Sequence, residues 1–221
     1  MKKYLIILLS FCCSNFQAQT KVMSSNHNHL VSTEISEKAF DKNKNLSLIV
    51  EVKNDTLYYV SVKNNSEKVI ELSVQDDQIF IIQEAIDATG KWKPIEFWQY
   101  STCGNSYHSI EILPKNKIVT ETVRYNGDFK TRIRFKLLHK DKEFFSNEVE
   151  ARIDVEQFKI PEQLNHHLYK SARRWDKINA ENIIFLKPKA IKIHAKGEKR
   201  YLKEMAKKRK NSLKKQVISS P

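Results

Sequence analysis

Residues 129–155 read FKTRIRFKLLHKDKEFFSNEVEARIDV, and this stretch decides the fold. In its first half Phe129, Thr131, Ile133, Phe135 and Leu137 alternate with Lys130, Arg132, Arg134 and Lys136. A period of two puts the first set on one face of a strand and the cations on the other. On the return, Phe145, Val149, Ala151, Ile153 and Val155 alternate with Glu148, Glu150, Arg152, Asp154 and Glu156. If the turn at 139–143 pairs Leu138 with Phe144, antiparallel register sets Ile133 opposite Val149, Arg134 opposite Glu148 and Arg132 opposite Glu150. Apolar and charged faces then both match. Four cations on one face could line a polyanion groove, but the facing acids favour a solvated ladder of ion pairs, each worth about 0.2–1 kcal/mol.

Working outward, short runs rich in Val, Ile, Tyr and Phe recur from Leu46 at 46–53, 56–63, 68–74, 79–86, 91–98, 107–113, 118–125, 129–138 and 144–155. Turn residues separate them: Asn54-Asp55, Asn64-Asn65-Ser66, Asp76-Asp77, Asp87 to Gly90, Pro114 to Lys117, and Asn126-Gly127-Asp128. Strands at this spacing mark an antiparallel sandwich or barrel. Seven to nine strands in so short a stretch resemble an immunoglobulin-like sandwich, and the resemblance implies a large aromatic buried between the sheets, for which Trp92 is the candidate. The paired cysteines of antibody domains are absent, and the architecture by itself implies no activity. The fold expected is mainly β: an immunoglobulin-like antiparallel β-sandwich over 45–158 with a basic α/β C-terminal extension.

The N-terminus places Lys2-Lys3 before an apolar run and then Gln17-Ala18-Gln19, which reads as a secretory signal over 1–18 cut after Ala18. Its ending resembles signals of exported proteins of the Bacteroidota. The rival is a lipoprotein signal acylated at Cys12 or Cys13, although Phe11 occupies a position where a small residue is expected. Residues 19–44 are polar and without period, as in a flexible linker. The protein is thus expected to be periplasmic, displayed on the outer surface, or secreted. After cleavage Cys103 is the one cysteine left, so no intramolecular disulfide can form and the hydrophobic core must hold the fold.

Cys103 opens the segment Cys103-Gly104-Asn105-Ser106-Tyr107-His108, in which thiol and imidazole lie five residues apart and Asn105 could orient the base. A catalytic thiol needs a base or helix N-terminus to lower its pKa, and this loop enters a strand instead. The favoured expectation is a turn, with Gly104 and Asn105 at positive φ and Cys103 packed beneath Trp98 or Tyr100. Metal ligation is not expected. His27 and His29 lie in the polar linker, and the adjacent His166 and His167 point about 100° apart on a helix. With four glycines, none in a phosphate-loop spacing, the chain suggests no cofactor.

Charge separates the two ends. Residues 159–221 hold 18 basic and 5 acidic residues, so they carry the whole of the chain's net charge of +13, and residues 1–158 are neutral. Pro161 suits a first helical turn, and Leu164, Leu168, Trp175 and Ile178 follow at helical spacing, an apolar stripe expected to dock on the sandwich. Beyond a break at Asn179-Ala180, the runs 183–186 and 191–195 read as short strands, so 159–197 is expected to be a helix plus short strands. After Gly197, residues 198–221 form a basic tail, helical or disordered, with Lys203, Lys207, Lys208, Arg209, Lys210, Lys214 and Lys215 as candidate polyanion-binding groups. Export points their partner toward anionic lipid, lipopolysaccharide, acidic glycan or acidic protein at the envelope rather than nucleic acid. The function expected is a non-enzymatic binding module. The alternatives are a thiol hydrolase using Cys103 and His108, or an inhibitor or chaperone that adds a strand at a sheet edge.

Overall fold

A computed structural model describes residues 23–24, 29–31 and 44–218 of the chain, with side chains over 44–209. The segment read as a signal, including Cys12 and Cys13, lies outside the described residues, as do His27 and most of the linker.

The protein is mainly β with three helices near its C-terminus. The strands are β1 (Met23–Ser24), β2 (His29–Val31), β3 (Leu46–Val52), β4 (Leu57–Asn64), β5 (Ile70–Gln75), β6 (Gln78–Ile79), β7 (Ile81–Ile86), β8 (Trp92–Pro94), β9 (Glu96–Phe97), β10 (Tyr107–Ile112), β11 (Lys117–Val123), β12 (Phe129–His139), β13 (Lys142–Phe145) and β14 (Val149–Ile153). The helices are α1 (His167–Arg173), α2 (Lys177–Ile184) and α3 (Ala190–Ile218). One sheet runs β2-β11-β4-β3, a second β13-β12-β7-β8 with β14 also on β12, and a third β10-β5-β6. All pairings in these three are antiparallel, and β1 pairs in parallel with β9. β1 and β2 correct the linker reading: strand pairing uses backbone groups that every residue carries, so apolar alternation does not announce it.

Turn chemistry accounts for the connections. The Asn54 side chain accepts the backbone N–H groups of Thr56 and Leu57, which closes the turn from β3 to β4. Asp76 and Asp77 both have positive φ, as do Lys140 and Asp141, which is the backbone of two-residue hairpin turns. A Cβ on Gly127 would collide with the Ile153 carbonyl carbon, so only glycine lets the chain cross β14 there.

The hairpin of β12 follows the expected register at its far end, with Ile133 opposite Val149 and Arg132 opposite Glu150. Near the turn Leu137, not Leu138, faces Phe144. The return strand therefore holds one extra residue, and the chain bulges at 146–148 to absorb it. There Asn147 leaves the hairpin and grips β3: its Nδ2 donates to the Val50 carbonyl at 3.1 Å and its Oδ1 accepts the Val50 N–H at 2.8 Å. The same slip moves Glu148 away from Arg134 to Arg132, at 2.6 Å. Arg134 instead pairs across β7 with Glu84 at 2.8 Å.

Two hydrophobic clusters hold the molecule. The first joins Leu48, Val50, Tyr58, Val60 and Val62 of one sheet to Ile81, Ile133, Phe135, Leu137 and Ile153 of another, with Leu72, Val74 and Ile112 from the third. The second lies on the opposite side of β7, where Ile82, Phe97, Trp98 and Tyr100 meet Leu164, Tyr169, Ala172, Ala180, Ile183, Ile184 and Leu186. Trp98, not Trp92, is the fully buried indole, and it belongs to this second cluster. Trp92 stands half-buried, with the Arg134 guanidinium 4.3 Å from its ring.

The extension departs from expectation in its elements. Residues 183–186 and 191–195 are helix and helix-ending turn rather than strands, and Asn179-Ala180 lie inside α2. α1 starts after His166 rather than at Pro161, because the His166 side chain caps the Tyr169 N–H. Leu164 is buried and Leu168 and Trp175 pack against the same cluster, as the stripe predicts, but Ile178 is exposed.

Candidate functional site

The loop from Trp98 to His108 does not assemble a thiol site. The Cys103 N–H donates to Ser101 Oγ at 3.1 Å, and its side chain is exposed rather than packed beneath Trp98 or Tyr100. Gly104 and Asn105 form a 3-10 turn with Ser106, and neither has positive φ. The turn satisfies its backbone by coiling, so the left-handed conformation expected at Gly104 is not needed. His108 turns away to Asp77, 2.9 Å from Nε2 to Oδ1, in an exposed pair. Cys103 stands at the start of this three-residue turn, but its side chain makes no capping hydrogen bond there.

Beneath the loop, His166 is wholly buried. Its Nδ1 accepts the Tyr169 N–H at 3.1 Å, which leaves Nε2 to carry the proton and donate to the Trp98 carbonyl at 3.0 Å. Burial lowers its pKa to about 4, against the stabilising bond to Trp98. His167 stacks on it with ring centroids 5.7 Å apart. The two therefore form a packing and capping unit. Among the described residues no group of three or more His, Cys, Asp or Glu side chains is placed to hold a metal ion.

Two buried carboxylates were not singled out by sequence. Glu96 on β9 accepts Tyr125 Oη at 2.8 Å, Gln83 Nε2 at 2.9 Å and the Gln83 N–H at 2.8 Å. Burial raises its pKa to about 7, with those donors pulling the other way. Glu84, the residue after Gln83, faces the opposite side of β7 and lies 2.8 Å from Lys136 Nζ. Lys136 is fully buried, and the contact is an ion pair rather than a directed hydrogen bond. Burial works against the Glu84 charge, but Lys136 and Arg134 outweigh it and hold the carboxyl below its ordinary pKa. Burial likewise pushes Lys136 down. Of the four cations on this strand face, Lys130 and Arg132 thus form exposed pairs of the kind expected, whereas Lys136 is inside.

An open cleft of about 530 Å³ lies beside Tyr125, with Arg124, Lys130 and Arg152 on its walls. Its guanidiniums are engaged: Arg124 donates to the Asn54 carbonyl, and Arg152 to the carbonyls of Gly127 and Asp128. Asp55 and Glu150 add negative charge to the same walls. With three cations against two acids, and both guanidiniums already bonded to backbone carbonyls, the cleft offers an anion little net attraction.

Uncompensated charge gathers on α3. Its start is bound to the body: Lys192 pairs with Asp141 of the β12–β13 turn, the Lys189 N–H donates to Asp141 Oδ1, and Lys187 bonds Glu143 at 3.1 Å. Trp175 lies parallel to the His194 ring at 5.7 Å and against Gly197, where an added Cβ would collide with the indole. Glu198 turns back to accept Ser171 Oγ at 2.9 Å. Gly197, expected to end the segment before the basic tail, is therefore the contact at which the helix docks. Past it the helix leaves the body. Residues 199–209 hold Lys199, Arg200, Lys203, Lys207, Lys208 and Arg209 against the single acid Glu204, and all but half-buried Tyr201 are exposed. Lys210, Lys214 and Lys215 continue on the same helix, with side chains outside those described. At 1.5 Å per residue α3 is about 43 Å long. Among the described residues no helix is long and apolar enough to cross a membrane.

No family model matches the chain, and no curated protein matches it.

Proposed function

We propose that the protein is an exported, non-enzymatic binding module, in which an immunoglobulin-like sandwich carries a basic helix that contacts an anionic component of the cell envelope. One observation carries this reading: cations from Lys199 to Arg209 are exposed on a helix whose base is locked to the body at Trp175, His194 and Gly197. A fixed base gives the charge a direction, so a surface it meets also orients the body. Lysines nearer the body support the division of labour, since Lys187 and Lys192 are already paired with Glu143 and Asp141. The thiol-hydrolase alternative draws less support from the loop, where the Cys103 side chain is exposed and the hydrogen bond of His108 runs to Asp77 rather than to the thiol.

The test is binding of the full chain to lipopolysaccharide, a sulfated glycan and duplex DNA, read by fluorescence anisotropy at low and high salt. Affinity should fall steeply with salt, and reversing Lys203, Lys207, Lys208 and Arg209 to Glu should abolish it. Salt-insensitive binding, or binding unchanged by the reversals, would remove the proposal. Processing after Ala18 in an expressing bacterium, read by N-terminal sequencing, checks the export half.

A further inference from the structure

The exposed half of α3 is not uniformly cationic. Helical geometry, at about 100° per residue, sorts its side chains into three sectors. Ala190, His194 and Gly197 fall together and are buried against the body, with Tyr201 continuing their line. Next to them lies a line of Ile191, Ala195, Leu202, Met205 and Ala206, in which Ile191, Leu202 and Met205 are 40%, 59% and 45% exposed. Beyond this line come Lys192, Lys196, Lys199, Arg200, Lys203 and Lys207, all exposed. Glu198, turned back to Ser171, interrupts the line near the body, and Arg209 interrupts it at its far end.

Resting on the anionic reading above, we propose that the partner is the headgroup region of an anionic lipid bilayer, in which α3 lies parallel to the surface. Leu202 and Met205 would dip toward the acyl chains while the lysine sector meets lipid phosphates. Cations alone would serve a glycan or a nucleic acid equally well. The apolar line beside them is rewarded only by a partner that offers a hydrocarbon layer just beneath its negative charge, which is how amphipathic interfacial helices bind. Charge complementarity thus fixes the sign of the surface, and the apolar line fixes its depth. Long lysine side chains reach outward past buried apolar neighbours, so the two sectors can be satisfied at once. The sector docked to the body lies on the other side of the apolar line, so the β domain rests beside the helix on the same leaflet. Like charges on successive turns oppose this helix in water, and an anionic surface removes that opposition.

The experiment uses the full chain with vesicles of phosphatidylcholine alone, vesicles containing phosphatidylglycerol, and a soluble sulfated glycan. Binding to the phosphatidylglycerol vesicles is expected, with little to phosphatidylcholine. The double variant Leu202→Gln, Met205→Gln should lose about tenfold in vesicle affinity and keep its glycan binding. Lys203→Gln with Lys207→Gln should lose about thirtyfold on the vesicles. Because Leu202 is exposed, the variant Leu202→Trp should fold normally, and the emission of its added indole should be quenched by acyl-brominated lipid. If the apolar double variant binds vesicles as well as the parent, or the added indole is not quenched, insertion is wrong and the anionic reading survives. Glycan binding without vesicle binding likewise overturns insertion and leaves the anionic reading standing. Loss of a chain dimer on changing the apolar pair, with no vesicle binding, assigns that line to a second copy and overturns the proposal. Binding to neither vesicles nor glycan sinks both readings.

Discussion

Lys130 and Lys136 stand on the same face of β12, and their surroundings have nothing in common. The Lys130 side chain is 70% exposed with Glu150 3.8 Å away, whereas Lys136 is fully buried 2.8 Å from Glu84. What separates them is cover. The segment joining α2 to α3 lies over the Lys136 end, where Glu143 faces both Lys136 and Lys187. A cation on a strand face is therefore a solvated charge or a structural ion according to what the rest of the chain lays over it. Losing a partner costs little in the first case and several-fold more in the second.

The contrast is broken most forcefully by removing one partner of the buried pair. Glu84→Ala leaves buried Lys136 with Arg134 beside it and with Glu143, 3.7 Å away, as a more distant counter-charge, and the loss of unfolding free energy in urea should be about 3–5 kcal/mol. Adding Lys136→Met should restore most of it; a loss below about 1 kcal/mol for Glu84→Ala would mean the pair is hydrated after all.

Two other buried groups sharpen the comparison through pH. His166 titrates near 4 in the folded chain and 6.5 unfolded, so the unfolded chain binds more protons in between and stability falls as pH drops from 6.5 to 4. Glu96 titrates near 7 folded and 4.5 unfolded, so its contribution is complete below 4.5 and is lost as pH rises to 7. From 4.5 to 6.5 the two slopes oppose each other and cancel. Glu96→Gln should unmask the His166 slope, changing the difference between variant and parent by about 3 kcal/mol over that window. Parallel pH profiles for the two proteins would refute it.

The cover itself can be lifted at Gly197. In an open helix Gly→Ala stabilises by about 0.5–1 kcal/mol, but here the new Cβ collides with Trp175 and should instead cost about 1–3 kcal/mol. Thermal unfolding gives the sign directly, and a stabilised variant would show that α3 does not dock through this contact. At the exposed end, Lys130→Ala should change stability by less than about 0.5 kcal/mol, and a larger effect would erase the distinction drawn between the two lysines.

The β-rich body was readable because its strands alternate and its turns carry Asn, Asp and Gly at the needed places. Phe129 to Leu137 is the clearest case. The slip in register was not readable, since it depends on Asn147 finding Val50, 97 residues away. Ile183-Ile184-Phe185-Leu186 misled because a short apolar run suits a buried helix as well as a strand. It ends in Leu186 at positive φ, a helix stop that sequence would assign to glycine. Ile191-Lys192-Ile193 alternates by chance inside a longer helical segment whose first turn is tied from another hairpin by Asp141. Lys136 looked like a surface charge, and Glu84 drew no notice, because nothing local states that other parts of the chain will cover them. The basic residues were visible, but the apolar line at Leu202 and Met205 gains meaning only once the docked sector beside it is known.

Asn147 gives β3 a property that no strand pairing could. By taking both the N–H and the C=O of Val50, its amide occupies both hydrogen-bonding groups of one residue on the side of β3 away from β4. A strand from a neighbouring molecule advancing along that side would have to evict it. The amide thus works as a stopper against edge-to-edge pairing with a second strand at that point.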